Sequence, residues 1–311
     1  MNKFANARQV VGIVGSALTL SAALVGCGGG GSASVAATVD LSLRASITSS
    51  TLSVPMYGRP LLLTVVGNHL DNGLVVSATG CTGAALSSTA PYVSSSTTAY
   101  YQCNATTIGA GQIVATRTAD ATVLATQSFT VPAPQVTLTL SNGTGVNGTM
   151  VFTLAPDKAP ITVNNFLAYV DSGFYVGTVV HRVSPNFVIQ AGGYAAPLVD
   201  GSAALKVTNP PIALEVNKGL SNTRWTVAMA RQTGPNTATS QFFINLVDNS
   251  ASLDPRPSVT EGYAVFASVS TGTQVATNIV AAACTAFAGF LPSGDCTPSP
   301  NVVITAAVQT R

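Results

Sequence analysis

The chain has 311 residues, of which 47% are hydrophobic and only 8% charged, with a formal net charge of +2. That balance excludes an intrinsically disordered chain, which needs low hydrophobicity and high charge. It also excludes a nucleic-acid binder, because the Lys and Arg residues form no cluster that could neutralise phosphates. Thr, Ser, Val, Ala and Gly dominate, which favours strands over long surface helices, and the length suits two domains.

The N-terminus reads as an export leader. Lys3 and Arg8 precede an apolar stretch from Val10 to Val25 that is too short and too glycine-interrupted for a good membrane span. The stretch ends in LVGC, Leu24 to Cys27, followed by GGGGSAS. These residues resemble a bacterial lipobox, whose cysteine is acylated and becomes the mature N-terminus. The resemblance implies a signal peptide over residues 1–26, lipidation at Cys27 and a flexible Gly/Ser tether over 27–37. It also implies a place in the bacterial cell envelope, lipid-anchored on the periplasmic side or on the surface of the outer membrane.

Four cysteines remain: Cys81, Cys103, Cys284 and Cys296. Export would put them where disulfides persist. Three connectivities are open, and nearness along the chain favours Cys81–Cys103 and Cys284–Cys296. No CxxC occurs, and the two histidines, His69 and His181, sit in unrelated contexts, so no metal site is expected.

Residues 38–133 alternate short runs of β-formers with turn residues. Strands are expected at LLLTVVG from Leu61, GLVVSATG from Gly73, TAYYQC ending at Cys103, GQIVATRT from Gly111 and VLATQSFTV ending at Val131. Their spacing predicts a small β sandwich, and LTVVGNHL faintly resembles an immunoglobulin-like module of bacterial surface proteins. No catalytic constellation occurs here; His69, beside Asn68 and Asp71, reads as a loop histidine.

VPAPQ, Val131 to Gln135, reads as a linker, and the texture changes after it. Within PITVNNFLAYVDSGF, the residues Val163, Phe166, Leu167 and Val170 share one face of a helix. Pro160 fits its first turn, and Gly173 follows its end. Next comes HRVSPNFVIQAGG, His181 to Gly193: a strand, an SPN turn and a second strand. Period-two alternation puts Val188 and Gln190 on one face, and Arg182 reaches that face from the partner strand. The segment carries a guanidinium, a carboxamide and apolar side chains, without nucleophile or general base.

From about Gln135 to Arg311 the chain resembles a cyclophilin-type peptidyl-prolyl isomerase of the bacterial periplasmic kind. GTMVFTLAPDKAPITVNNFLAYVDSGFYVGTVVHRV carries the opening phrases, and VHRVSPNFVIQAGG carries the central signature. NPPIALEVNKGLSNTRWTVAMAR, GPNTATSQFFINLVDN and GYAVFASV continue the match in order. The resemblance implies an isomerase domain over 134–311, folded as an eight-stranded antiparallel barrel with capping helices. It assigns Arg182, Phe187 and Gln190 to catalysis, and Val188, Ala230, Arg231, Gln241, Phe243, Leu253 and Tyr263 to substrate binding. His181 matches a structural histidine.

The match has departures. Val188 stands where methionine is usual, and Ala191 replaces the first signature glycine, which is expected to restrict the backbone. Ser252 stands where an aromatic rims the proline pocket, and Trp225 sits where glycine is expected. The function implied is isomerisation of X-Pro bonds in exported proteins of the cell envelope, by a monomer needing no ATP, nucleotide or metal. The alternative is a surface lipoprotein that binds proline-containing segments with weak or no isomerase activity.

Overall fold

The computed structural model describes residues 44–311, apart from 72, 201–203, 258–259 and 288. The leader, Cys27 and the tether lie outside the described residues.

The first half forms two antiparallel sheets. One contains β1 (Ser46–Leu52), β2 (Pro60–Asn68), β4 (Thr82–Leu86) and β5 (Thr98–Asn104), in the order β1-β2-β5-β4. The other contains β3 (Leu74–Thr79), β6 (Gly109–Arg117) and β7 (Val123–Val131), in the order β3-β6-β7. Alternate residues of β2 and β5 turn inward, as pleating requires. Leu61, Leu63 and Val65 from β2, Tyr101 from β5, Ile113 from β6 and Phe129 from β7 belong to one buried cluster. A disulfide joins Cys81 to Cys103. β1 and β4 are additions to the strands expected from sequence.

Only residues 132–134 separate β7 from β8 (Gln135–Ser141). The elements that follow are β9 (Asn147–Leu154), α1 (Pro160–Asp171), β10 (Thr178–Ser184), β11 (Val188–Ala195), β12 (Thr226–Met229), β13 (Phe242–Asn245), α2 (Ser250–Leu253), β14 (Val265–Thr271), α3 (Thr273–Ala281), β15 (Cys284–Thr285), β16 (Thr297–Pro298) and β17 (Val303–Gln309). Eight of these strands close a barrel in the order β10-β11-β13-β12-β14-β9-β8-β17, every pairing antiparallel. Closure removes the exposed edges that an open sheet would leave. The expected eight-stranded barrel is therefore present.

The barrel strands β11, β12 and β13 carry apolar side chains on both faces. Ile189, Val227, Met229, Phe242 and Ile244 join the main core, whereas Val188, Ala228 and Phe243 point the other way into a second, separate cluster with Leu253 and Val265. Period two thus builds both an interior and an apolar patch on the outer wall.

α1 lays Val163, Phe166, Leu167 and Val170 against the barrel, as their spacing predicts. Phe166 meets Phe152, Phe242 and Phe266, with ring centroids 5.0–6.3 Å apart. Pro160 opens the helix, and Gly173, at φ 69°, follows its end. No side chain of its own caps the N-terminus. The carboxylate of Glu215 does so from a distant loop, accepting from the N–H groups of Ile161 (3.1 Å) and Thr162 (2.7 Å). Trp225 adopts φ 66°, a left-handed conformation that glycine takes without strain, and its ring lies under the Arg224 guanidinium at 4.8 Å.

Candidate active site

The HRVSPNFVIQAGG segment is the β10–β11 hairpin. Asn186 supplies the left-handed residue of its turn at φ 59°, which asparagine tolerates. The ladder fixes what faces what. Arg182 pairs with Gln190, Gln190 with Phe243, Phe243 with Ala228, and Ala228 with Val265. One line of residues across five strands therefore runs from a guanidinium to an apolar patch.

The polar end of that line is a relay. Arg182 Nε donates to Oδ2 of Asp295 at 2.6 Å. Its Nη1 donates to Oε1 of Gln190 at 3.3 Å, and Gln190 Nε2 donates to Oε1 of Gln241 at 2.8 Å. The guanidinium carbon lies 5.9 Å from the centre of the Phe187 ring. The apolar end is made of Val188, Phe243 and Leu253, all buried, with Phe187, Ala230 and Tyr263 packed around them. Tyr263 meets Phe243 edge-on at 5.5 Å, and the Arg231 guanidinium lies 4.7 Å from the Tyr263 ring. Arg231 is itself anchored, its Nε donating to the carbonyl of Gly262 at 2.9 Å. Between Gln190, Ala230, Arg231 and Gln241 opens a cleft of about 340 Å³.

All ten residues assigned to catalysis and substrate binding from the sequence therefore converge on one wall of the barrel. Ala230 donates its N–H to the carbonyl of Gln241 at 2.9 Å. One expectation is modified. Ala191 does not restrict the backbone. It is an ordinary strand residue in β11, and the left-handed position is the next one, Gly192 at φ 86°. Ser252 is exposed on α2 beside Leu253 and supplies no aromatic rim.

Two sets of residues escaped sequence reading. Asp295 lies 113 positions from the arginine it holds. A network of buried amides also fixes the apolar walls. Asn222 Nδ2 donates to the carbonyls of Leu253 (3.2 Å) and Tyr263 (3.3 Å), and Asn249 Nδ2 donates to the carbonyl of Phe187 (2.9 Å). Asn245 joins the two, donating to Asn222 Oδ1 (3.2 Å) and accepting from Asn249 (2.8 Å). Three walls of the seat thus hang from one polar network, where each buried group needs its partner.

His181 lies beneath the site rather than in it. It is 3% exposed, lies against Tyr194 with tilted rings whose centroids are 4.8 Å apart, and its Nδ1 has no hydrogen-bond partner. Burial, reinforced by the adjacent Arg182 charge, pulls its pKa down from 6.5 to about 4. It is neutral at physiological pH and packs as a core side chain. The cysteines pair as nearness suggested, Cys81 with Cys103 and Cys284 with Cys296. Among the described residues, no group of three or more His, Cys, Asp or Glu side chains gathers in a way that could hold a metal ion.

This arrangement sets a guanidinium, anchored by a carboxylate and an amide, beside an apolar patch. The family of cyclophilin type peptidyl-prolyl cis-trans isomerases matches residues 136–308. Peptidyl-prolyl cis-trans isomerase A of Dickeya dadantii is 43% identical over 158 residues, covering 51% of this chain and 80% of the relative. Peptidyl-prolyl cis-trans isomerase B of Escherichia coli is 46% identical over 134 residues, covering 43% of this chain and 79% of the relative. A crystal structure of a cyclophilin type peptidyl-prolyl cis-trans isomerase from Cryptosporidium parvum aligns with a TM-score of 0.42 at 20% identity, over 57% of this chain and 98% of that one. The chain belongs to the cyclophilin-type peptidyl-prolyl cis-trans isomerases.

Proposed function

We propose that this isomerase acts on X-Pro bonds of proteins exported to the cell envelope, and that it does so by stabilising the twisted amide through Arg182. Rotation about an X-Pro bond faces a barrier of ~20 kcal/mol because the planar amide is conjugated. Only interactions stronger in the twisted state than in the planar one lower it. Twisting localises the lone pair on the proline nitrogen and makes it an acceptor. A guanidinium N–H aimed at that nitrogen gains a hydrogen bond only then, while Phe187, Val188, Phe243, Leu253 and Tyr263 seat the ring. The observation that carries this reading is the Arg182 guanidinium, fixed by Asp295 and Gln190 at the border of an apolar patch.

The test is a protease-coupled peptide assay on the purified chain. Arg182→Ala is expected to lower kcat by roughly 10²–10³-fold, the scale for loss of one pre-aimed donor. An unchanged rate would sink the mechanism. The assignment of Cys27 as a lipid anchor, and of residues 38–133 as a β domain that spaces the isomerase from the membrane or binds a further partner, belongs to the same proposal. Mass spectrometry of the mature N-terminus tests the anchor, since an uncleaved, unmodified leader refutes it.

A second reading treats the site mainly as a binder of proline-containing segments. The exposed Ser252 favours it, because the seat lacks an aromatic rim. Ser252→Phe discriminates between the two. A fall in KM with kcat preserved supports a working site with an open rim, whereas tighter binding without turnover supports the binder.

A further inference from the structure

Arg182 is held from outside its own hairpin. Its Nε forms an ion pair with Asp295 at 2.6 Å, and the two side chains are 23% and 6% exposed. Asp295 lies in the segment between α3 and β17 and immediately precedes Cys296, which is bonded to Cys284. The residues after Asp295 are stitched to the backbone on both sides of Arg182. Val183 N–H donates to the carbonyl of Cys296 at 2.7 Å, and Cys296 N–H returns the bond at 3.0 Å. Thr297 Oγ1 donates to the carbonyl of His181 at 2.6 Å. β15 and β16, on either side of the disulfide loop, pair with each other. A carboxylate on a free loop could not fix the angle of a guanidinium, but this one is built into the same ladder as the arginine.

We infer that Asp295 is a positioning residue for the isomerisation. It engages the Nε edge of Arg182, so that the remaining guanidinium N–H groups are turned toward the proline nitrogen, and the Cys284–Cys296 disulfide holds Asp295 in place. The inference rests on the reading of Arg182 as the donor to the twisted amide. That amide carries no net charge, so partial neutralisation of the guanidinium by a carboxylate sacrifices little attraction, while the direction of the N–H decides whether the bond forms. An arginine fixed at Nε, at Nη1 by Gln190 and over the face of Phe187 loses less conformational freedom when the substrate arrives than an unanchored one.

The test uses the full chain and the peptide assay, with kcat and KM separated and folding checked by thermal melts. Asp295→Ala is expected to lower kcat by ~10–100-fold with KM changed less than about twofold, the signature of a misaimed group rather than a damaged seat. Asp295→Asn keeps an oxygen that can accept from Nε and is expected to restore most of the rate. Asp295→Ala placed on Arg182→Ala is expected to add nothing, because it acts only through the arginine. Cys284→Ser with Cys296→Ser is expected to fall toward the Asp295→Ala rate. Wild-type kcat in Asp295→Ala or in the double serine variant overturns the inference. So does an additive loss on Arg182→Ala, or an Asp295→Asn variant as slow as the alanine. If Arg182→Ala itself keeps full activity, the reading of the arginine fails instead, and the two failures are told apart.

Discussion

Gly193 lies so close to Gln241 that a methyl group on it would sit 2.6 Å from Gln241 Cγ and 2.6 Å from Nε2. Gln241 is the last member of the Asp295–Arg182–Gln190–Gln241 relay. Gly193 is therefore a space reserved for a side chain. The glycine before it answers a different need. Gly192 sits at φ 86°, and a Cβ there would lie 3.0 Å from the carbonyl oxygen of Ser240.

Two neighbouring substitutions should therefore behave differently. Gly193→Ala should push Gln241, from Cγ outward, into another rotamer at a cost of about 1 kcal/mol, and lower kcat several-fold by releasing Gln190. Gly192→Ala should destabilise the fold by roughly 1–3 kcal/mol, because backbone strain and a backbone clash cannot be relieved by a rotamer change. Chemical denaturation and the peptide assay, run on both variants, check the contrast. Equal loss of stability would refute it.

Much of this site was legible because strand periodicity is strict. Because β10 and β11 form a hairpin, Val188, Gln190 and Arg182 share a face, and Arg182 and Gln190 are direct cross-strand partners. Helix α1 was legible through Val163, Phe166, Leu167 and Val170. β1 carries no strand signal because SITSSTL is largely polar, and β4 carries none because TGAAL offers small residues and no alternation. Asp295 is not legible because no local pattern links a loop carboxylate to an arginine 113 residues away. Its one local signal was its place beside a cysteine.

The amide network leaves no pattern in the sequence, since Asn222, Asn245 and Asn249 come from different segments and meet only in the fold. Asn222 is 1% exposed and bonds the carbonyls of Leu253 and Tyr263 as well as the carboxylate of Asp254 (2.9 Å). Asn222→Ala removes one donor each from the carbonyls of Leu253 and Tyr263, while the Leu253 carbonyl keeps the Tyr263 N–H, Asp254 keeps the Asn222 N–H and Ser221, and Asn245 Nδ2 keeps Thr226 Oγ1. The expected cost is about 1–2 kcal/mol of stability, as for one buried acceptor left unmade. In the assay, KM should rise more than kcat falls, because Leu253 and Tyr263 wall the proline seat while the Arg182 relay is untouched. A variant that loses kcat with KM intact would show that the network serves the donor rather than the seat.

Acid should weaken the fold through His181. Its pKa is about 4 in the folded chain, lowered by burial first and by Arg182 second, against 6.5 for the free side chain. Between those values the unfolded chain binds a proton that the folded one refuses, so stability falls as pH drops from 6.5 toward 4 and this contribution is complete above 6.5. The full difference corresponds to roughly 3 kcal/mol. His181→Phe removes the titrating group while keeping a ring against Tyr194. The variant should lose this share of the pH dependence while keeping the part due to carboxylates. Denaturation midpoints measured from pH 4 to 7.5 for both proteins give the comparison. Parallel curves would mean that His181 is protonated in the folded state, and that its unpartnered Nδ1 finds an acceptor when charged.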